Sequence, residues 1–97
     1  MIGPDAESFP FNTDSVFINA PSESGVYALL KDQEWVYVGE SKDIQTRLFE
    51  HLRTNDSCLV RHAPNLFQFE PCPTGKRMEH QDVLILALKP ACNGKLG

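Results

Sequence analysis

The chain has no long apolar run. Its longest, Val83 to Leu88, is six residues, against the roughly 20 that a membrane-spanning helix needs. Its first residues, Met1-Ile2-Gly3-Pro4-Asp5, lack both the basic start and the apolar stretch of a secretory signal. A cytoplasmic location is therefore expected, with no membrane partner. Cysteine is scarce: Cys58, Cys72 and Cys92 are odd in number, and no Cys-x-x-Cys pair occurs. The nearest metal pattern, Cys58-x3-His62 with Cys72 further on, fits no familiar zinc framework. The expectation is buried or idle thiols in a reducing compartment.

An excess of basic charge is also missing. The formal net charge is −4. Residues 1–24 carry Asp5, Glu7, Asp14 and Glu23 with no Lys or Arg, and the remainder holds nine basic and nine acidic side chains. Bulk electrostatic attraction to nucleic acid is thereby excluded as the main attachment, whereas a small local phosphate site is not. Internal repeats and low-complexity tracts are absent. With 41% hydrophobic and 23% charged residues in 97, the chain can build one core and has no room for a second.

Residues 1–24 are rich in Pro, Ser, Asp and Glu, with Phe9, Phe11, Val16, Phe17 and Ile18 among them. They read as an irregular acidic leader packed on the core, with a short strand or turn near Val16–Ile18. Residues 25–97 form the domain proper. Gly25–Leu30 and Trp35–Gly39 are β-branched and aromatic, and polar Lys31–Glu34 separates them, so they predict a hairpin covered on both faces.

Ser41 or Asp43 can cap a helix over roughly 43–53, on which Ile44, Leu48, Phe49 and Leu52 fall within an arc of roughly 140°. Arg47 and His51 lie one turn apart at its border. Residues 54–64 are a connection with weak helical potential near the middle. Leu66–Glu70 is a third strand, stopped by Pro71 and Pro73, and a last helix from Thr74 or Gly75 ends near Lys89, before Pro90. The expected class is α/β of the α+β type: a three-stranded, mainly antiparallel sheet flanked by helices, in the order β-β-α-β-α.

Gly25-Val26-Tyr27, Val36-Tyr37-Val38-Gly39, Ser41-x-Asp43-Ile44-x-x-Arg47-Leu48-x-x-His51 and the closing Leu84-Ile85-x-x-x-Lys89-Pro90-x-x-Asn93 together resemble the GIY-YIG nuclease superfamily. The resemblance covers roughly residues 24–93. It implies hydrolysis of a DNA phosphodiester with a Mg²⁺ or Mn²⁺ cofactor. By position, Tyr27 and Tyr37 would line the site and handle the attacking water or its proton. Arg47 would stabilise the phosphate, His51 would assist near the nucleophile, and Asn93 would hold the site together. Gly39, Ser41 and Lys42 would contact the substrate. DNA is the implied partner, with a protein partner or a homodimer as further expectations.

The residue types suit that chemistry. A guanidinium never loses its proton and matches the charge gathering on phosphate oxygens with paired planar donors. A phenol, with a pKa near 10, serves as a base only when a cation or metal-bound water lowers it.

One position departs from the family pattern. Twelve residues before Asn93, where the family carries its metal-binding glutamate, stands Gln81. A helical wheel points it inward among Met78, Leu84, Ile85 and Leu88, with Glu79 about 160° away. A neutral amide oxygen is a poor ligand for a hard dication, so Glu40 and Asp43 are the nearest carboxylates that could substitute. Three functions follow: a metal-dependent endonuclease with an atypical ligand, a catalytically silent relative that binds nucleic acid or a protein through the same cleft, or a plain interaction module on the same scaffold.

Overall fold

The computed structural model describes residues 1–93; positions 94–97 of the expected 25–97 domain lie outside the described residues. The elements run β1 (Phe9–Pro10), α1 (Thr13–Asn19), β2 (Gly25–Lys31), β3 (Glu34–Ser41), α2 (Ile44–Leu52), α3 (Ser57–His62), β4 (Leu66–Pro71), a 3₁₀ turn (Thr74–Lys76) and α4 (Arg77–Leu88). The sheet has four strands in the order β1-β4-β2-β3, and every pairing is antiparallel. The α/β class and the small antiparallel sheet agree with the sequence expectation. The strand count of three and the order β-β-α-β-α do not.

The corrections arise in the segment 1–24 and in the 54–64 connection. Phe9 and Pro10 pair with Phe67 and Leu66, a two-residue strand too short to show any alternation. The apolar triplet around Val16 is helical, neither strand nor turn. Asn12 caps α1 by accepting from the Ser15 amide at 2.8 Å, and the helix buries Val16 while leaving Phe17 and Ile18 exposed. A single docked side chain and a cap override the β preference of three neighbouring apolar residues. α3 is capped in the same way by Asp56, which accepts from the Leu59 amide at 3.1 Å.

β2 is central and buried along nearly its whole length, because both sheet faces are covered. On one face Tyr27, Leu29 and Phe67 pack with Val16, Ile44, Leu48, Cys58, Leu59 and Cys92. On the other, Val26, Ala28, Leu30 and Val38 pack with Trp35, Leu84, Ile85 and Leu88 of the α4 side. A register shift in the β2–β3 ladder pairs Leu29 with Tyr37 but Leu30 with Trp35. Val36 is thereby left over as a bulge, which turns it to the same face as Tyr37.

The chain before β1 lies across the sheet, held by buried Gln68. Its Oε1 accepts from the Gly3 amide at 3.0 Å, and its Nε2 donates to the Gly3 carbonyl at 3.1 Å. After α4, residues 91–93 run along the outer edge of β3. Ala91 and Cys92 donate their amides to the carbonyls of Trp35 and Val36 at 3.1 and 2.8 Å. The edge strand is thus capped by the tail. Among the described residues no helix is long and apolar enough to cross a membrane.

Candidate functional site

Tyr27 pairs across the hairpin with Gly39, and Leu29 with Tyr37. Cross-strand partners share a face, as do residues two apart, so the hairpin alone puts both tyrosines on one side of the sheet. Tyr27 is fully buried. It fits because residue 39 is a glycine: a Cβ there would run into the Tyr27 phenol oxygen and ring. α2 crosses this face, with Ile44 and Leu48 buried beneath it, and Asp43 caps its start by accepting from the Thr46 amide at 3.0 Å. The helix thereby sets His51 over the rings. Tyr27 Oη lies 2.7 Å from His51 Nε2. Ring centroids are 5.5 Å apart for Tyr27 and His51, 5.2 Å for Tyr37 and His51, and 6.2 Å for the two tyrosines.

Arg47 sits one helical turn before His51, its side chain 45% exposed, with Nε 3.0 Å from Glu50. An ion pair this open contributes about 0–1 kcal/mol, so an incoming anion can take the guanidinium from Glu50. Burial, with the neighbouring Tyr37 second, pushes the Tyr27 phenol far above its usual range, and the Arg47 charge only partly offsets this. Burial also raises Tyr37, again against Arg47. Burial and then the Arg47 charge push His51 down to about 4. At neutral pH Tyr27 and His51 are both uncharged, and the imidazole tautomer sets which of the two donates in the bond between them. The cleft is a proton-retaining aromatic trio with one cation at its mouth.

The remaining expected site residues make contacts of their own or, for Lys42, lie at the surface. Asn93 is buried, and its amide forms two bonds to one residue: Oδ1 accepts from the Val38 amide at 2.7 Å and Nδ2 donates to the Val38 carbonyl at 2.9 Å. It acts as one more rung on the edge of β3. Ser41 is buried in the turn into α2, accepting from the Asp43 amide at 3.0 Å and donating to the Asp43 carbonyl at 2.9 Å. Lys42 is exposed beside it.

Glu40 pairs with Val26 across the hairpin, which puts it on the α4 face, opposite the rings. There its carboxylate accepts from Arg77 Nε at 2.9 Å, while Arg77 Nη1 donates to Ser24 Oγ at 3.2 Å. Arg77, at the start of the last helix, is therefore half-buried and paired. Asp43 is committed to the cap and to Ser22, whose hydroxyl donates to it at 2.7 Å.

Gln81 is half-buried on α4, the helix whose Leu84, Ile85 and Leu88 pack on the other sheet face, and its amide nitrogen contacts Met78 Sδ at 3.5 Å and Asp82 Oδ1 at 3.3 Å. A Mg²⁺ or Mn²⁺ ion needs carboxylate and water oxygens. The ring cleft offers two phenols, an imidazole and a guanidinium, and the carboxylates around it are engaged: Glu50 with Arg47, Asp56 at the α3 cap and Glu40 with Arg77. This donor set does not fit a hard dication.

Of the cysteines expected as buried or idle thiols, Cys58 and Cys92 are buried but are not thiols. Cys58 and Cys92 form a disulfide, with Cα atoms 5.8 Å apart, and only Cys72 is free. α3 and the tail both pack beside β3, and that brings together two residues separated by 34 positions. His62 joins them: among the described residues, Cys58, His62 and Cys92 are the one group of three or more potential ligands whose donor atoms all lie within 4.8 Å of one another. Cys58-x3-His62 was visible in the sequence, but its partner is Cys92 and not Cys72. Asp56 was also missed; with Tyr37, His51, Cys58 and Cys92 it lines a cavity of about 170 Å³.

No family model matches the chain. A segment of 49 residues, 47% of the chain, is 39% identical to UvrABC system protein C of Fervidobacterium nodosum and spans 9% of that protein's length. Among solved structures, the magnesium-bound GIY-YIG N-terminal endonuclease domain of UvrC from Thermotoga maritima superposes with a TM-score of 0.68 at 22% identity. That match covers 77% of this chain and 88% of the other. A point mutant of the same domain, also bound to its catalytic divalent cation, gives 0.66 at 21% identity over 75% and 84%. The chain thus has the α/β fold of the GIY-YIG N-terminal endonuclease domain of UvrC.

Proposed function

We propose that this chain is a GIY-YIG-like domain that binds nucleic acid through the Tyr27–Tyr37–Arg47–His51 cleft and is catalytically silent as a metal-dependent nuclease. The observation that carries this reading is the pairing of a half-exposed Arg47 with a cleft whose neighbouring carboxylates are engaged: Glu50 with Arg47, Asp56 at the α3 cap and Glu40 with Arg77, while Gln81 stands where the resemblance expects a glutamate. Arg47 supplies a fixed charge and paired donors to one phosphate, and the exposed part of Tyr37 supplies an aromatic face to a sugar or base. The neutral Tyr27–His51 pair orients α2 against the hairpin and holds its proton. Hydrolysis would need a hard cation to offset phosphate charge and orient water, and this donor set gives it little hold.

Fluorescence anisotropy with duplex, branched and single-stranded DNA tests binding, and a nicking assay in Mn²⁺ tests cutting. Arg47→Ala should weaken binding about tenfold or more and reduce the salt slope by roughly one phosphate contact. Gln81→Glu should leave DNA affinity in place, and a gain of Mn²⁺-dependent nicking would identify Gln81 as the missing element. Robust nicking by the wild type that Arg47→Ala abolishes would establish the active endonuclease instead. No binding to any of the three DNAs by the folded protein would reject the nucleic-acid reading and leave a protein ligand for the cleft.

A further inference from the structure

Three ligand-bearing side chains meet at a place the cleft does not use. Cys58 lies in the first turn of α3, His62 ends the same helix four residues on, and Cys92 lies on the tail bound along the β3 edge. The i, i+4 spacing puts Cys58 and His62 on one side of α3, and the fold brings Cys92 to that side. Both cysteines are buried and His62 is half-buried. The cavity of about 170 Å³ lined by Asp56, Tyr37 and His51 adjoins the two sulfurs. Asp56 is itself occupied at the helix cap.

We propose that Cys58, His62 and Cys92 form a binding site for a borderline-soft dication of the Zn²⁺ type, open when the Cys58–Cys92 disulfide is reduced and closed when it forms. Two thiolates and an imidazole are a donor set that selects Zn²⁺ over Mg²⁺. With Zn–S near 2.3 Å and Zn–N near 2.0–2.1 Å, tetrahedral ligands lie roughly 3.5–3.8 Å apart. The three donor atoms already fall inside a 4.8 Å limit, so the sulfurs need only part by under roughly 2 Å from bonding distance. Water from the adjoining cavity completes the shell.

The chemistry balances. A dithiol reductant gives two electrons and two protons to the Cys58–Cys92 bond, yielding two thiols and its own cyclic disulfide. Zn²⁺ then displaces both thiol protons and takes the neutral His62 nitrogen. A low-molecular-weight disulfide reverses the sequence, accepting two electrons by thiol exchange as the metal is expelled. Either occupant ties α3 to the tail one residue before Asn93, so the Asn93 clamp on Val38 survives in both states. Nothing in this chemistry requires DNA in the cleft.

The test uses the full chain in a Cys72→Ser background, which removes the remaining thiol. The disulfide is reduced with a phosphine, which takes its oxygen from water, and Zn²⁺ is titrated against a chromophoric chelator, with Co²⁺ as a spectroscopic substitute. The expected result is one Zn²⁺ per reduced chain, none per oxidised chain, and tetrahedral d–d bands with a thiolate-to-cobalt charge-transfer band. His62→Ala keeps the disulfide. It should weaken uptake by more than the roughly 10–100-fold that loss of a mere supporting partner costs. Zinc uptake by the oxidised protein, no uptake by the reduced one, or equal uptake by His62→Ala would overturn the site. If the reduced chain unfolds, recovery of its circular dichroism on adding Zn²⁺ supports the proposal, and failure to recover overturns it.

Discussion

Acidifying the protein from pH 7 to pH 5 should reveal the burial of His51. Burial and the Arg47 charge lower its pKa from 6.5 to about 4 in the folded state, whereas the unfolded chain titrates near the ordinary value. Between these limits the unfolded state binds the proton and the folded state does not, so stability falls as pH falls. Above 6.5 neither form is protonated and there is no penalty; below about 4 both are, and the penalty is complete at about 3 kcal/mol. About 2 kcal/mol of it develops between pH 7 and pH 5. Asp43, held low by the Thr46 amide and the Ser22 hydroxyl, acts in the same direction, but its contribution is lost only as pH falls below its ordinary range. Urea unfolding at both pH values, for wild type and for His51→Gln, isolates the imidazole, since Gln can accept from the Tyr27 hydroxyl without titrating. The wild type should lose about 2 kcal/mol more than the variant over this interval. Equal losses in the two proteins would show that His51 is not buried as a neutral base, and the account of the cleft would fail with it.

Gly39→Ala puts a methyl group where the Tyr27 phenol oxygen sits. Thermal unfolding should show a loss of about 1–3 kcal/mol, and tyrosine fluorescence should report a displaced ring. Asn93→Ala leaves the buried amide and carbonyl of Val38 without partners, so a loss of about 2–4 kcal/mol is expected in urea. Faster hydrogen exchange at Val38 would locate that loss at the edge of β3. Removing the Cys58–Cys92 cross-link, which closes a span of 34 residues, should lower stability in metal-free buffer by about 2–4 kcal/mol, seen by comparing Cys58→Ser/Cys92→Ser with the oxidised wild type.

Local pattern accounts for much of the hairpin and of α2. The β-branched and aromatic runs around Tyr27 and Tyr37 are separated by a polar turn, which predicts their pairing as a hairpin. The stripe of Ile44, Leu48, Phe49 and Leu52 is periodic enough to orient α2, and its orientation carries Arg47 and His51 to the stripe's border. These features were legible because each depends on neighbours a few residues away. β1 and α1 were not, since a two-residue strand has no period, and a seven-residue helix held by one cap and one buried valine does not outweigh the β preference of Val16-Phe17-Ile18.

The sequence by itself determined the α/β class and the covered hairpin, because periodicity and turn chemistry act over short distances; that both rings share a face follows from the bulge at Val36, since the register next to the turn would otherwise pair Tyr37 with Ala28. The sequence also placed Gln81 where the resemblance expects a glutamate. Only the tertiary structure decided that Glu40 belongs to Arg77, that Asn93 serves as a rung on β3, and that Cys58 meets Cys92 and His62 and not Cys72. Each of those outcomes depends on which distant segments share the edge or face of one sheet. That arrangement is set by burial of the whole core, to which no local run of residues gives access.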